Sequence, residues 1–577
     1  MRRAKVLLWT LICCGLAAPG PSAAQPPPAI NLRLPSDAAG GGTLAIRLTI
    51  PPQSVGARYA DGAPVLVFVP GGQSVGGLNG GESYAMEGFI AVTMIFPGGT
   101  SGGFHSDGVY DYRGQRCIDA LRDVLLFAGG RKADSIGRTI DQAVPVHPLT
   151  EMVGMIGSSN GGPISMATLA AHGSQLGFVS TYVGWENPTN DQTVLVEAGG
   201  RFYDCDPASD GDGNGIPTDD GKNPYFTAYA SSTLEMEWDR LSYDPAYSWV
   251  VNDPAGQHPP VARQGALFYD GNGNGVIDAV AGDPDCFDVD GSGSLDYGED
   301  YLLRPTPSYE SGALLLHYSV GATAEAETRG LFGPVWPPDV AASSACDLFW
   351  SMRDATRRYA ALAAARPDLR CTLAFAAADH VQASDPHPHV QQAYDGLRAG
   401  GIWCRLNPDE SYFRLIDGSP AAPPADNDAN LTANWPGLTQ HDEDYPLASS
   451  VASLAAVLEM ADRAHAGVWI PNLSGPVTSA ADVGAASSLS IEACPHPAQR
   501  GSLLRWRGMG EGPARIRLFD VAGRVCGERR LEAIAPEGAI TLAAIPDRSF
   551  LWRTGVYWAE ISSPGGATAC RIVFLGR

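Results

Sequence analysis

The chain has 577 residues, of which 39 are Lys or Arg and 63 are Asp or Glu, so its formal net charge at pH 7 is −24. An apolar fraction of 44% and a charged fraction of 18% are typical of a globular protein and exclude wholesale disorder. The acidity argues against a nucleic-acid partner, because no basic surface offsets the repulsion from phosphate groups.

Residues 1–24 have the layout of a secretory signal peptide. Cations at positions 2, 3 and 5 precede an apolar run at 6–18, and Ser22-Ala23-Ala24 offers a cleavage site. This run is too short to span a bilayer comfortably, and no other run is apolar enough. We therefore expect a secreted or cell-surface protein without a transmembrane segment in its mature part.

Short apolar strands and helical patterns alternate after the leader. Runs at 65–69 and 89–96 are each stopped by Pro-Gly-Gly, which predicts buried parallel strands. Residues 117–127 have the apolar spacing of a helix. Further strands are predicted at 152–156 and 178–183, with a helix of small residues between them. This alternation predicts an α/β fold with a mostly parallel sheet.

The alternation stops for about 150 residues and then resumes, which predicts one sheet with a large insertion. The second part is predicted to contain helices at 345–365, 390–399 and 447–464 and strands at 371–375 and 402–406. The expected organisation is a signal peptide at 1–24, core at 25–190, insertion at 191–344, core at 345–470, linker at 471–487 and a β domain at 488–577.

A G-x-S-x-G sequence at 157–161 lies between a predicted strand and a predicted helix. A turn this sharp needs Gly at its flanks, because side chains there would clash with the backbone. It would place the Ser159 hydroxyl above the sheet at a helix N-terminus, where the Asn160 N–H can face an oxyanion. We interpret Ser159 as a nucleophile; the alternative is a plain Gly-rich turn.

On this motif and its context, residues 44–190 and 345–466 resemble the α/β-hydrolase family. The resemblance implies a second oxyanion N–H after the strand at 65–69, where this chain has Pro70-Gly71-Gly72-Gln73 and Pro replaces the family's His. Either Gly72 or Gln73 can donate. Residues 110–114 (Tyr-Asp-Tyr-Arg-Gly) are similar to a segment of dienelactone-hydrolase and prolyl-oligopeptidase relatives, and equally fit a structural ion pair.

The family's triad order is Ser, acid, His. Asp379 follows the predicted strand at 371–375, and Asp385 is the second candidate for the acid. His441 precedes the last predicted helix and follows the last predicted strand. The resemblance implies that His441 takes the proton of Ser159 while Asp379 fixes the imidazole tautomer. Ordinary loop residues are the alternative at both positions.

The insertion carries most of the negative charge, since residues 196–300 contain 21 Asp or Glu and 4 Lys or Arg. Residues 288–299 match the EF-hand calcium loop in full, whereas 270–278 and 210–214 lack an acid at position 12 and also fit solvated turns. We expect structural Ca²⁺ that orders a cap over the active site. The candidate ligands are Asp288, Asp290, Ser292, Ser294, Asp296 and Glu299; Asp270, Asn272, Asn274 and Asp278; and Asp210, Asp212 and Asn214.

Residues 488–577 contain short alternating strands without a clear helix, which predicts a β-sandwich. Asp520-Val-Ala-Gly-Arg524 and Thr554-Gly-Val-Tyr557 resemble motifs of the type nine secretion sorting domain, a small immunoglobulin-like sandwich, although Thr554 replaces the family's Ser. The resemblance implies transport across an outer membrane by the secretion machinery, then release or surface attachment. An accessory β domain is the alternative.

These features predict an exported serine hydrolase that acts on small or polymeric carboxylic esters. A prolyl-oligopeptidase-like peptidase would use the same triad. A third alternative is a non-catalytic, calcium-dependent surface or adhesion protein that kept the hydrolase fold. The presence of Ser159, Asp379 and His441 together argues against that alternative, because a protein without catalysis is free to lose any of them.

Overall fold

The structure is a computed structural model. It describes residues 26–194, 225, 236–253, 255–278, 297–310, 312–375, 381, 388–409, 411–412, 449–469, 477, 490–494, 502–507, 512–520, 525–534, 538–545, 555–563 and 566–574. In these ranges, no helix is both long enough and apolar enough to cross a membrane.

The first part of the core alternates strands with helices as the apolar pattern predicts. Its strands are β1 (Ala29–Pro35), β2 (Thr43–Thr49), β3 (Ala63–Val69), β4 (Gly76–Gly77), β5 (Ile90–Ile95), β6 (Thr100–Ser101), β7 (Phe104–His105), β8 (Pro148–Ser158) and β9 (Val179–Trp185). Its helices are α1 (Glu82–Ala85), α2 (Gln115–Ala128), α3 (Ile140–Ala143), α4 (Gly161–His172) and α5 (Asp191–Val194).

The insertion and the second part of the core follow in the chain. The insertion contains β10 (Leu241–Val251), β11 (Val261–Tyr269), β12 (Tyr301–Leu302), β13 (Thr306–Glu310), β14 (Ala313–His317) and α6 (Val320–Arg329). The second part of the core contains α7 (Ser343–Ser351), α8 (Tyr359–Ala365), β15 (Arg370–Ala374), α9 (Pro388–Ala399), β16 (Trp403–Leu406) and α10 (Ser449–Ala466).

The two parts of the core form one sheet. Its strand order is β1-β2-β5-β3-β8-β9-β15-β16, with β4 beside β5. The β1–β2 and β2–β5 pairs are antiparallel, and every pair from β5–β3 to β15–β16 is parallel. A mostly parallel sheet with helices confirms the α/β class and is consistent with an α/β-hydrolase fold.

Helices cover both faces of this sheet, so its central strands are apolar throughout. In β3, Val65, Val67 and Val69 belong to the core cluster that includes α2 and α4. Leu66 belongs to the cluster on the other face, which α10 closes. Alternate side chains of one strand therefore pack into two cores, as expected for a buried parallel strand.

The single helix predicted at 345–365 is wrong, because the segment breaks into α7 and α8. Asp354 accepts hydrogen bonds from Thr356 N at 2.8 Å and Thr356 Oγ1 at 2.5 Å. Ala355 N donates to Thr189 O at 2.8 Å instead of to its own helix. A side chain that competes for backbone N–H groups ends a helix whose apolar spacing alone would continue it.

The C-terminal residues form two small antiparallel sheets, of order β17-β18-β21 and β20-β19-β22-β23. Leu504 and Trp506 of one sheet share a hydrophobic cluster with Ile516 and Leu518 of the other. The strands are β17 (Ser490–Cys494), β18 (Leu503–Arg507), β19 (Gly512–Asp520), β20 (Val525–Ile534), β21 (Gly538–Thr541), β22 (Gly555–Ser563) and β23 (Gly566–Phe574). Residues 521–524 and 554, which complete the two motifs quoted above, lie outside the described residues.

Candidate active site

Ser159 occupies a strained turn between β8 and α4. Its φ angle is 47°, in the left-handed region that a residue with a side chain rarely adopts. Ser159 N donates to Trp185 O at 2.8 Å, and Gly162 N donates to Ser159 O at 2.8 Å. The turn is therefore held from the neighbouring strand and from the first turn of the helix. This is the sharp strand–turn–helix geometry that the G-x-S-x-G sequence predicts.

Close backbone approaches explain two glycines of this edge. A Cβ on Gly161 would lie 2.3 Å from Val69 O, at the end of β3. A Cβ on Gly71 would lie 2.7 Å from Ser159 Cβ. No larger residue fits either position without moving the backbone. The structure therefore brings the loop after β3, which contains Gly72 and Gln73, against Ser159.

Asn187 supports the turn from below and was missed by the sequence analysis. Its Nδ2 donates to Gly157 O at 2.8 Å, Ser159 O at 2.8 Å and Trp185 O at 3.0 Å. Its Oδ1 accepts a hydrogen bond from Tyr182 OH at 2.7 Å. The signal in the sequence is a polar side chain two residues beyond the strand that follows this turn, since such strand ends meet at one edge of a parallel sheet.

Backbone strain collects at this same edge. Among the described residues, the non-glycine positions with positive φ are Tyr112, Arg113, Ser159, Glu186 and Asn407. Each lies in a connection beyond the carboxyl end of a strand of the main sheet, namely β5, β8, β9 or β16. Strained backbone persists only where the surrounding structure holds it, and it concentrates at functional sites. The strain thus independently marks the edge that Ser159 occupies.

The segment at 110–114 does not form the ion pair that its sequence allows. Asp111 accepts hydrogen bonds from the N–H groups of Gly114, Arg116 and Cys117, so it caps the start of α2. Arg113 instead donates to backbone carbonyls of the loop after β3, at Gly71 O (3.2 Å) and Ser74 O (3.1 Å). Its contacts therefore reach the candidate site.

The insertion contacts the site edge directly. Gln73 Nε2 donates to Thr306 Oγ1 at 2.6 Å, and Tyr112 OH donates to Asp253 Oδ1 at 2.9 Å. Gln257 Nε2 donates to Gly98 O. Residues on β13 and in the β10–β11 connection thus touch the loops that surround Ser159, as a cap over the site would.

Asp379, Asp385 and His441 lie outside the described residues. The strand that precedes Asp379 is described: Glu186 N donates to Ala374 O, the last residue of β15, at 2.9 Å. The chain therefore leaves β15 beside the end of β9, two strands away from the end of β8 that holds Ser159. Glu186 is a carboxylic acid at this edge that sequence reasoning did not consider, and it is only 7% exposed.

The 270–278 stretch is the predicted calcium loop whose ligands are all described. Asn272 Nδ2 and Asn274 Nδ2 both donate to Asp278 Oδ2 at 2.7 Å, and Asp270 Oδ2 accepts from Gly275 N at 2.8 Å. Turning either amide would present an oxygen at the same place. Burial, together with the carboxylates of Asp270 and Asp278, raises the pKa of the adjacent Asp300 to about 6.

The side chains of this loop fit a hard cation, provided that the asparagines supply oxygen. Across the described ranges, no group of three or more His, Cys, Asp or Glu side chains is arranged to hold a metal ion. Residues 210–214 and 279–296 lie outside these ranges; of the 288–299 loop only its last residues, including Glu299, are described.

No protein-family model matches the chain, and no curated protein matches it significantly. Partial likeness exists to carboxyl esterase 2 from the mycorrhizal fungus Tuber melanosporum (11% identity, TM-score 0.29, 68% of this chain and 78% of that chain). Brefeldin A esterase, a bacterial homologue of human hormone-sensitive lipase, overlaps at 13% identity and TM-score 0.21 (31% of this chain, 45% of that one). Dimeric latent PorU from Porphyromonas gingivalis overlaps at 16% identity and TM-score 0.14 (16% and 10%).

The chain thus spans less than half of the length of brefeldin A esterase and a tenth of PorU. TM-scores of this size describe limited overlap. The fold is therefore assigned from its own strand order, and the site from its own geometry.

Replacing Asn187 with Ala should lower the free energy of unfolding, because three partly buried carbonyl groups lose a shared donor. We expect a cost of about 2–4 kcal/mol, roughly 1 kcal/mol for each lost bond. Asn79→Ala is the control, since Asn79 is exposed and accepts one bond from Arg47 Nη1. Urea denaturation followed by tryptophan fluorescence measures both, and equal stability of the two variants would contradict the role of Asn187.

Proposed function

We propose that the protein is a serine hydrolase that cleaves carboxylic esters through an acyl-enzyme on Ser159. The observation that supports this proposal is the left-handed backbone conformation of Ser159 at the carboxyl end of β8. Its φ angle is 47°, and the loop after β3 packs against it. A strained serine between a parallel strand and a helix N-terminus is exposed to a substrate and lies beside backbone N–H groups. Those are the parts that acyl transfer requires.

The proposed reaction follows from these parts. His441 accepts the hydroxyl proton as Ser159 Oγ attacks the carbonyl carbon of the ester. The N–H of Asn160 and an N–H of Gly72 or Gln73 bind the developing oxyanion. Collapse breaks the bond to the alcohol, which leaves with the proton from His441. Water, activated by the same histidine, then hydrolyses the acyl-enzyme and releases the carboxylic acid. Asp379 stabilises the imidazolium in both steps.

The insertion is proposed to select the substrate. Its contacts to Gln73, Tyr112 and Gly98, in the loops after β3 and β5, support this role. A peptidase with the same triad would differ in its substrate and not in its nucleophile. Comparing hydrolysis of p-nitrophenyl esters with that of aminoacyl amides separates the two activities, and ester hydrolysis should be the faster.

Ser159→Ala should abolish ester hydrolysis and labelling by a fluorophosphonate probe, because the nucleophile is removed while the fold is retained. Ser158→Ala is the matched control, since it changes the preceding hydroxyl of the same turn. Asp379→Asn and His441→Gln should each lower kcat by at least about 10³-fold, and Glu186→Gln should not.

Labelling of the Ser159→Ala variant would overturn the nucleophile assignment. Loss of activity in Glu186→Gln with activity kept in Asp379→Asn would instead assign the acid to Glu186. Circular dichroism of each variant verifies that the fold is unchanged.

We further propose that Ca²⁺ binds the acidic insertion and stabilises it. Saturating Ca²⁺ should raise the melting temperature, since about 2.7 kcal/mol is gained when free calcium exceeds Kd 100-fold. A chelator should reverse the shift, and Asp270→Ala should reduce it. Asp239→Ala serves as control because this aspartate is exposed and lies outside the loop. If neither calcium nor the chelator changes the melting temperature, a structural metal is excluded.

We propose that the protein is exported. Residues 1–24 would act as a signal peptide, and residues 488–577 would bind the type nine secretion machinery. The paired antiparallel sheets of the C-terminal residues support a separate β domain. In a host with this machinery, the exported protein should begin at Gln25, and a chain truncated after 487 should remain in the periplasm. The Ser159→Ala chain is the export control. Export of the truncated chain would contradict the sorting role.

A further inference from the structure

Three carbonyl groups of the loop after β3 are held from one side by two buried side chains. Arg113 Nη2 donates to Gly71 O at 3.2 Å and to Ser74 O at 3.1 Å. Tyr110 OH donates to Gln73 O at 2.8 Å and to Ser74 O at 3.0 Å. Residues 110–113 therefore fix one side of this loop, and its opposite side faces away from them.

Because the peptide bond is planar and trans, fixing the Gly71 carbonyl group also fixes the direction of the Gly72 N–H. In a trans peptide, the N–H of one residue points opposite to the C=O of the residue before it. Because Arg113 binds Gly71 O, the N–H of Gly72 points away from Arg113. Neither the Gly72 N–H nor the Gln73 N–H has an acceptor among the described residues. The peptide that precedes Gln73 has no such anchor on Gly72 O.

Arg113 places a positive charge in a buried part of the protein. The residue is 5% exposed, and its Nε and Nη1 atoms have no hydrogen-bond partner within the described ranges. Its guanidinium lies 4.3 Å from the centroid of the Phe96 ring, and no described carboxylate pairs with it. A buried cation without a counterion is costly unless a negative charge arrives. The oxyanion of an acyl-transfer step is such a charge, and it develops beside Gly71 and Ser159.

The segment that carries Arg113 is itself braced. Tyr112 and Arg113 have φ angles of 53° and 69°. Arg353 Nε donates to Tyr112 O at 2.7 Å, and Arg353 Nη2 donates to Asp111 O at 2.6 Å. Burial raises the pKa of Tyr110, so its hydroxyl keeps its proton and remains a donor. The anchor is thus rigid, as positioning of a donor requires.

We propose that Arg113 and Tyr110 are positioning residues of the oxyanion hole, which orient the Gly72 N–H as its second donor. Arg113 also stabilises the oxyanion through its charge, by way of the Gly71–Gly72 peptide. This inference rests on the proposed hydrolase function and chooses between the two donors that the sequence leaves open. Asn160 and Gly72 then form the pair that binds the transition state.

Tyr110→Phe and Arg113→Lys test the proposal against p-nitrophenyl acetate. Each should lower kcat by about 10-fold to 100-fold, somewhat less than deleting an oxyanion donor, while KM stays within about twofold. The split is expected because the oxyanion exists only after the substrate is bound. Arg113→Met, which also removes the charge, should lose more kcat than Arg113→Lys.

Tyr84→Phe is the matched control, because Tyr84 is as buried as Tyr110 but packs in the cluster that α10 closes. It should keep the wild-type kcat even if its melting temperature falls as far as that of Tyr110→Phe. Equal kcat values for the two Phe variants, or a rise in KM without a fall in kcat, would overturn the positioning role. Wild-type protein without Ser159-dependent hydrolysis would instead overturn the proposed function, and the inference with it.

Discussion

The left-handed turn at Ser159 is the constraint on which the rest of the site depends. A serine with φ of 47° is unfavourable by itself, so other parts of the fold must hold it. The Trp185 carbonyl, the Asn187 amide and the first turn of α4 provide that support. The close contact between Gly71 and Ser159 follows from the same turn, because the hydroxyl-bearing residue projects toward the end of β3.

This turn also explains why the surrounding loops are built as they are. The loop after β3 must approach without side chains at its glycines, and so it needs anchoring from behind by Tyr110 and Arg113. The segment that carries Arg113 has positive φ at Tyr112 and Arg113, and it depends on Arg353 from the second part of the core. Hydrogen bonds from elements that are distant in the chain therefore hold the strained backbone around Ser159. The rigid sheet beneath, apolar on both faces, allows this edge to be irregular.

Much of the fold could be predicted from local pattern. The apolar run ending at Pro70 predicts β3, and the helical spacing beginning at Cys117 predicts α2, because burial on one or two faces leaves a period in the sequence. The break between α7 and α8 could not be predicted in this way, since it depends on Asp354 and on a carbonyl of Thr189 far away in the chain. Glu186 and Asn187 were missed for a similar reason: Asn187 contacts β8 and Glu186 contacts β15, which lie beside β9 in the sheet but outside any local window of the sequence.

The sequence by itself determined the strand–turn–helix at Ser159, because glycine spacing and apolar periodicity are local consequences of backbone sterics. It also determined where the acidic charge lies, because composition is independent of folding. Only the tertiary structure decided what surrounds that serine. Arg113 could have paired with a carboxylate, and instead it holds the carbonyl of Gly71. Which groups a side chain meets depends on strand order and on loops returning to one edge, and these are properties of the whole chain.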